Sequence, residues 1–98
     1  MNKEFAHEHD ASRYILRIDG ELVAVVDYAA TPQAISFTRT FTHPAHRGRG
    51  YAAEVTEFAV NDVEHTTAAR IVPMCWYVGE WFEAHPDRAA LLTRSASA

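Results

Sequence analysis

Hydrophobic and polar positions follow two periods along this chain, and the switch between them divides it. "RYILRI" (Arg13 to Ile18) and "ELVAVVDYA" (Glu21 to Ala29) are β-branched and aromatic runs separated only by Asp19 and Gly20. Asp-Gly supplies the positive φ that a tight primed turn requires, so the pair predicts a β-hairpin. "AISFTRTF" (Ala34 to Phe41) sets Ile35, Phe37, Arg39 and Phe41 against Ala34, Ser36, Thr38 and Thr40. This alternation predicts a third antiparallel strand with one bulkier face, and hence a three-stranded meander. Beyond it the period lengthens. Ala52, Val55, Thr56, Ala59 and Val63 fall three or four apart, while Glu54, Glu57, Asn61, Asp62 and Glu64 take the other face. That predicts an amphipathic helix of about three turns, starting near Tyr51. "ARIVPMC" (Ala69 to Cys75) suits a short buried strand, parallel to the third and reached by a right-handed crossover through the helix. In "WYVGEWFEAHPDRAALL" a helix should stop near His85, before Pro86, with a last apolar turn at Leu91 and Leu92. The end, about 93–98, is expected to fray.

Composition narrows the class. With 98 residues, 48% of them apolar, the chain can build one core, which implies a single domain. A formal net charge of -4 argues against a general nucleic-acid binder, whose affinity rests on clustered Lys and Arg. The single cysteine, Cys75, excludes an internal disulfide and a four-cysteine zinc site and fits a reducing compartment. No apolar run approaches the roughly 20 residues that span a bilayer, and "MNKEFAHEHD" has no apolar segment suited to a signal peptide. A cytoplasmic protein with no membrane partner is expected, and a monomer is favoured.

Against the acidic balance stands "FTHPAHRGRGYAAEV" (Phe41 to Val55), with Arg47 and Arg49 interleaved with Gly48 and Gly50 ahead of the helix. A strand, a glycine-bearing loop and a helix N-terminus make an anion site, because the first helical N–H groups are unpaired and the dipole is positive there. Glycines without a Cβ let amides approach a pyrophosphate, and the arginines add charge. A surface loop that merely caps a helix is the alternative. Gly-Lys-Ser/Thr is absent, and no G-x-G-x-x-G follows the first strand.

Arg47, Gly50 and Ala52 match the R/Q-x-x-G-x-G/A loop of the GNAT superfamily of acetyl-CoA-dependent N-acetyltransferases, within the same strand, loop, helix, strand order. "PMCWYVGEWFEAHP" (Pro73 to Pro86) is similar to the P-x-C, aromatic, V, H-P signature of a short branch, the YjdJ-type GNAT-like proteins. The resemblance implies a GNAT-like α/β fold that binds acetyl-CoA and passes its acetyl group to an amine. It places the pyrophosphate of coenzyme A on the amides from Arg47 to Ala52, with Gly48, Arg49, Gly50 and Tyr51 between them. The pantetheine arm is implied to run beside Phe41, Thr42 and His43, with the thioester near Cys75. Two positions depart from the branch: Arg39 stands where a histidine is usual, and Trp81 where a tyrosine is usual.

Catalytic candidates follow from what the transfer needs. An alkylamine of pKa near 10.4 is almost wholly protonated at neutral pH, so something must take its proton. His43 and His46 have suitable ordinary pKa values and flank the loop, with Asp27 and Glu80 ranked below them. Cys75 is a nucleophile, a wall of the site or a buried small hydrophobe. Arg39 cannot act as a base but can hold an acidic group. His7 with His9, and His43 with His46, lack further ligands at zinc-like spacing, so no metal is expected. Trp76, Tyr77, Trp81 and Phe82 read as helical core residues rather than a base-stacking platform. Two other functions stay open: a CoA-binding module without turnover, and an interaction domain docking an acidic partner through the basic loop.

Overall fold

A computed structural model describes residues 2–95. Five strands, β1 (Lys3–Glu8), β2 (Arg13–Ile18), β3 (Glu21–Ala30), β4 (Ala34–Thr42) and β5 (Arg70–Pro73), form one sheet in the order β1-β2-β3-β4-β5. The first four pair antiparallel and β5 joins β4 in parallel. Helix α1 (Tyr51–Thr66) makes the crossover from β4 to β5, and α2 (Trp76–Ala84) follows β5. The β2–β3 hairpin turns on Asp19 and Gly20 at φ 51° and 85°, the conformation the Asp-Gly pair predicts.

Three expectations are corrected. The meander has four strands, because "KEFAHE" pairs along β2 from Lys3↔Ile18 to Glu8↔Arg13. Its charged composition hides an edge strand whose inner face holds Lys3, Phe5, stacked on Phe58 at 5.3 Å, and His7. Helix α1 has 16 residues rather than about three turns. Its apolar stripe continues at Val60 and closes only where the Thr67 N–H bonds the Val63 carbonyl. Third, β4 does not keep one bulky face. Its register against β3 shifts between Asp27 and Tyr28, which leaves Thr38 without an opposite residue. The extra residue is a β-bulge: Phe37 before it and Thr40 and Thr42 after it face α1, while Arg39 and Phe41 turn to the opposite face with their partners Asp27 and Val25.

The core lies on one side of the sheet. Tyr14, Leu16, Val23, Val26 and Phe37 pack beneath Val55, Ala59, Val60 and Val63 of α1 and Val78, Trp81 and Phe82 of α2. On the outer face Ile15 is 1% exposed although no helix covers it. Arg13 and Arg17 flank it along β2, and both reach Glu8, so their stems roof the isoleucine. Beyond α2 a 3-10 segment, Pro86–Leu92, buries Leu91. Arg94 lies in the stretch expected to fray, yet it donates to the carbonyls of Ala69, Val63 and Thr67. Residues 96–98 lie outside the described residues.

Candidate functional site

Where β5 ends, the sheet divides. The β4–β5 ladder stops at Phe37↔Pro73, and the Phe37 carbonyl then accepts the N–H groups of both Met74 and Cys75, at 3.1 and 3.0 Å. Proline ends the ladder because it has no N–H to donate. Beyond that point β4 continues to Thr42 with β3 alone on its other side, while the chain after Cys75 coils into α2. A cleft opens between the two. It holds a cavity of about 360 Å³ lined by Thr40, Thr42, Arg47, Ala52, Cys75, Trp76 and Tyr77.

One wall comes from the loop before α1. His43 accepts the Ala45 N–H on Nδ1 at 3.2 Å, which caps a 3-10 turn over Pro44–His46, and its own N–H is held by the Val23 carbonyl. His46 Nε2 lies 2.9 Å from Glu21 Oε1, so the carboxylate orients that ring toward β3. Gly48 and Gly50 both have φ of 80°, and no heavy atom stands within 4 Å of where a Cβ would project. Gly50 is the N-cap of α1 and its carbonyl accepts the Glu54 N–H, but no side chain caps the helix. The amides of the first turn, those of Ala52 and Ala53 included, therefore lie outside the intrahelical ladder, at the positive end of the dipole. Arg47 and Arg49 are exposed beside them. This arrangement could hold an anionic phosphate group.

The other wall is the start of α2. Cys75 is its N-cap residue, and Sγ lies 3.5 Å from Thr40 Oγ1 across the cleft. Burial by itself would raise the thiol pKa, but the Thr40 hydroxyl and the backbone groups of Val78, Tyr77 and Thr40 outweigh it and leave the thiol below its ordinary value. Tyr77 moves the other way: burial, then the Glu80 carboxylate, raise its pKa, so it remains a phenol with a proton to donate.

Among the residues singled out in the sequence, Thr42, Arg47, Ala52 and Cys75 meet at this cavity. Gly48, Arg49, Gly50 and His43 belong to the loop behind it, and Tyr51 is buried in the core. Arg39 and Phe41 lie on the outer face, where Arg39 Nη1 stands 3.8 Å from Asp27 Oδ2 and the guanidinium sits 5.5 Å from the Phe41 ring centre. Thr40, Trp76 and Tyr77 line the cavity without having been singled out as site residues. Of the four aromatics expected in the core, Trp81 and Phe82 are buried, whereas Trp76 is 74% exposed. The signal for Trp76 is its place at the first position of a helix, where the inward face has not yet begun.

A family model described as GCN5-related N-acetyl-transferase matches residues 13–91, from the start of β2 to the final apolar turn. The chain belongs to the GCN5-related N-acetyltransferase family. Among curated proteins none matches it. The α/β architecture agrees with membership: the divided strands, the bulge and the glycine loop all lie inside the matched span. Strand β1 lies before it. No helix among the described residues is long and apolar enough to cross a membrane, and among them no three His, Cys, Asp or Glu side chains are grouped to hold a metal.

Proposed function

We propose that this GCN5-related N-acetyltransferase domain binds acetyl-CoA in the cleft between β4 and α2 and transfers its acetyl group to an amine. The observation that carries the reading is a single cavity with Arg47 and Ala52 among its lining residues at the glycine loop and Cys75 at the start of α2. The residues fit the group. The amides from Arg47 to Ala52 and the arginine side chains would hold the pyrophosphate, and the open space before Gly48 and Gly50 admits it. Thr40 and Thr42, rather than Phe41, would line the pantetheine arm, because the bulge at Thr38 turns them to the cleft. When bound, acetyl-CoA supplies the activated acyl group.

The chain's own residues then divide the work. Tyr77 holds its proton and would give it to a departing thiolate. Cys75, with its lowered thiol pKa, is set to act as a nucleophile toward the acyl carbon. His43 accepts the Ala45 N–H on Nδ1, which puts the neutral ring's proton on Nε2 as a donor. Arg39, 3.8 Å from Asp27 on the far face, lies away from this cleft. One observation favours a CoA-binding module without turnover: neither His43 nor His46 is among the residues lining the cavity.

Thermal denaturation with acetyl-CoA tests the cofactor assignment. At 100 times the dissociation constant, linkage contributes about 2.7 kcal/mol, a rise of roughly 10 to 20 °C in Tm for a domain of this size. No shift at millimolar acetyl-CoA would overturn the reading. Intact-mass analysis after incubation without acceptor then reports an acetyl adduct on Cys75. Full turnover by Cys75→Ala would remove its nucleophilic role.

A further inference from the structure

The mouth of the cavity carries side chains that neither the fold nor coenzyme A accounts for. Trp76 lines the cavity and is 74% exposed, and Met74 beside it is 68% exposed. The indole makes an edge contact with Tyr77, ring centres 5.9 Å apart. Elsewhere cations do sit against rings: Lys3 on Tyr51, Arg39 on Phe41 and Arg88 on Trp81. Among the described residues none is placed on Trp76.

Carboxylates continue the same surface. Trp76, Glu80 and Glu83 are spaced four and three residues apart, so they share one side of α2, and all three are exposed. At 1.5 Å per residue, Glu80 lies about 6 Å and Glu83 about 10 Å along the axis from Trp76. Helix α2 contains no Lys or Arg, and among the described residues neither glutamate has an ion-pair partner. Glu80 also acts electrostatically on Tyr77, so its charge is felt inside the cavity.

We propose that the acceptor is an aliphatic polyamine, with its reacting nitrogen at Cys75, a second ammonium over the Trp76 ring and a further one against Glu80 and Glu83. The proposal rests on the acetyl-transfer reading above. Three or four methylenes with bonds of ~1.5 Å set successive ammonium groups about 5–6 Å apart, which matches the ~6 Å step from Trp76 to Glu80. An indole face and a carboxylate both attract ammonium, and neither favours a neutral or acidic acceptor. A peptide backbone finds little to dock on, since β5, the edge beside the cavity, has four residues and ends in Pro73. In the transfer the neutral nitrogen bonds the acetyl carbon and the thioester C–S bond breaks. The proton lost from nitrogen balances the released thiolate, giving an amide and a free thiol.

Acetylation is measured at saturating acetyl-CoA with spermidine, 1,4-diaminobutane, n-butylamine and a lysine-rich peptide. Calorimetric titration of spermidine into the CoA-loaded protein runs alongside. We expect kcat/KM for spermidine to exceed that for n-butylamine by about 10-fold or more, with the diamine between and the peptide below spermidine. Glu80→Gln with Glu83→Gln, and separately Trp76→Leu, should raise KM for spermidine about 10-fold, weaken its calorimetric binding equally and narrow its kcat/KM advantage over n-butylamine. Equal kcat/KM for spermidine and n-butylamine, preference for the peptide, or unchanged spermidine binding in both variants would overturn the proposal. The acetyl-CoA thermal shift of the glutamate variant separates the two readings. A retained shift with no polyamine preference removes only the acceptor assignment, whereas a wild-type protein without the shift removes both.

Discussion

Thr56 carries a hydroxyl into a wholly apolar part of α1. It is fully buried, and Oγ1 has no hydrogen-bond partner among the described residues. An unpaired buried hydroxyl costs about 1–3 kcal/mol, so Thr56→Val, nearly equal in shape, should stabilise the protein by about 1 kcal/mol in urea denaturation. A second case stands at the inner end of β1. His7 lies between the rings of His9 and Tyr14, with Nε2 2.6 Å from the Tyr28 hydroxyl and Nδ1 3.2 Å from Asp62 Oδ2, which also accepts the Tyr14 O–H. Burial and the neighbouring His9 lower its pKa, and Asp62 only partly opposes them. The unfolded chain then binds a proton more readily than the folded one. Stability is therefore intact above the ordinary value of 6.5 and falls as pH drops from there through the folded pKa. His7→Gln should flatten that acid-side loss in denaturation measured between pH 7 and 5. A slope unchanged in the variant would assign the loss to other groups. At this scale Arg47, Ala52 and Cys75 were legible because they belong to short local patterns. Thr40 and Tyr77 were not, because they meet only across a cleft made by two elements distant in sequence.

Among the elements, the β2–β3 hairpin and α1 were readable from turn chemistry and period. What escaped was a one-residue irregularity. The bulge at Thr38 inverts every side chain after it relative to a regular strand, and the sequence Ser-Phe-Thr-Arg-Thr gives no glycine or proline to announce it. It also turns Thr40 to face Cys75. Deleting Thr38 would remove the kink while keeping Phe37 and Thr40 on the inner face. The expected result is a folded protein, by circular dichroism, whose acetyl-CoA thermal shift is lost. The start of α1 offers a separate test. Gly50 holds φ of 80° with open space around it, so Gly50→Ala meets no clash and costs only the conformational penalty, about 1 kcal/mol. A much larger loss of Tm without ligand would show that the glycine serves packing rather than backbone geometry.

For the molecule as a whole, extents of 41 × 29 × 19 Å describe a plate: one sheet with its helices on one face. Strand β1 lies before the family match, yet it supplies the Phe5–Phe58 stack and the Lys3–Glu54 ion pair that tie the sheet's edge to α1. Phe5→Ala should cost about 2 kcal/mol in denaturant unfolding, less than a fully buried phenylalanine because Phe5 is half-buried. The overall order of elements was legible because local periods fix it. The four-strand width was not, since an edge strand shows only one weak apolar face. The forked Phe37 carbonyl has a further consequence, in solvent isotope exchange. The Met74 and Cys75 amides are fastened at that carbonyl and should exchange slowly, while amides on the β4 edge beyond it have no β5 partner and should exchange fast. A strand-like ligand laid along that edge would slow the second set and leave the first unchanged, so deuterium uptake alone would trace the path of the bound molecule through the fork.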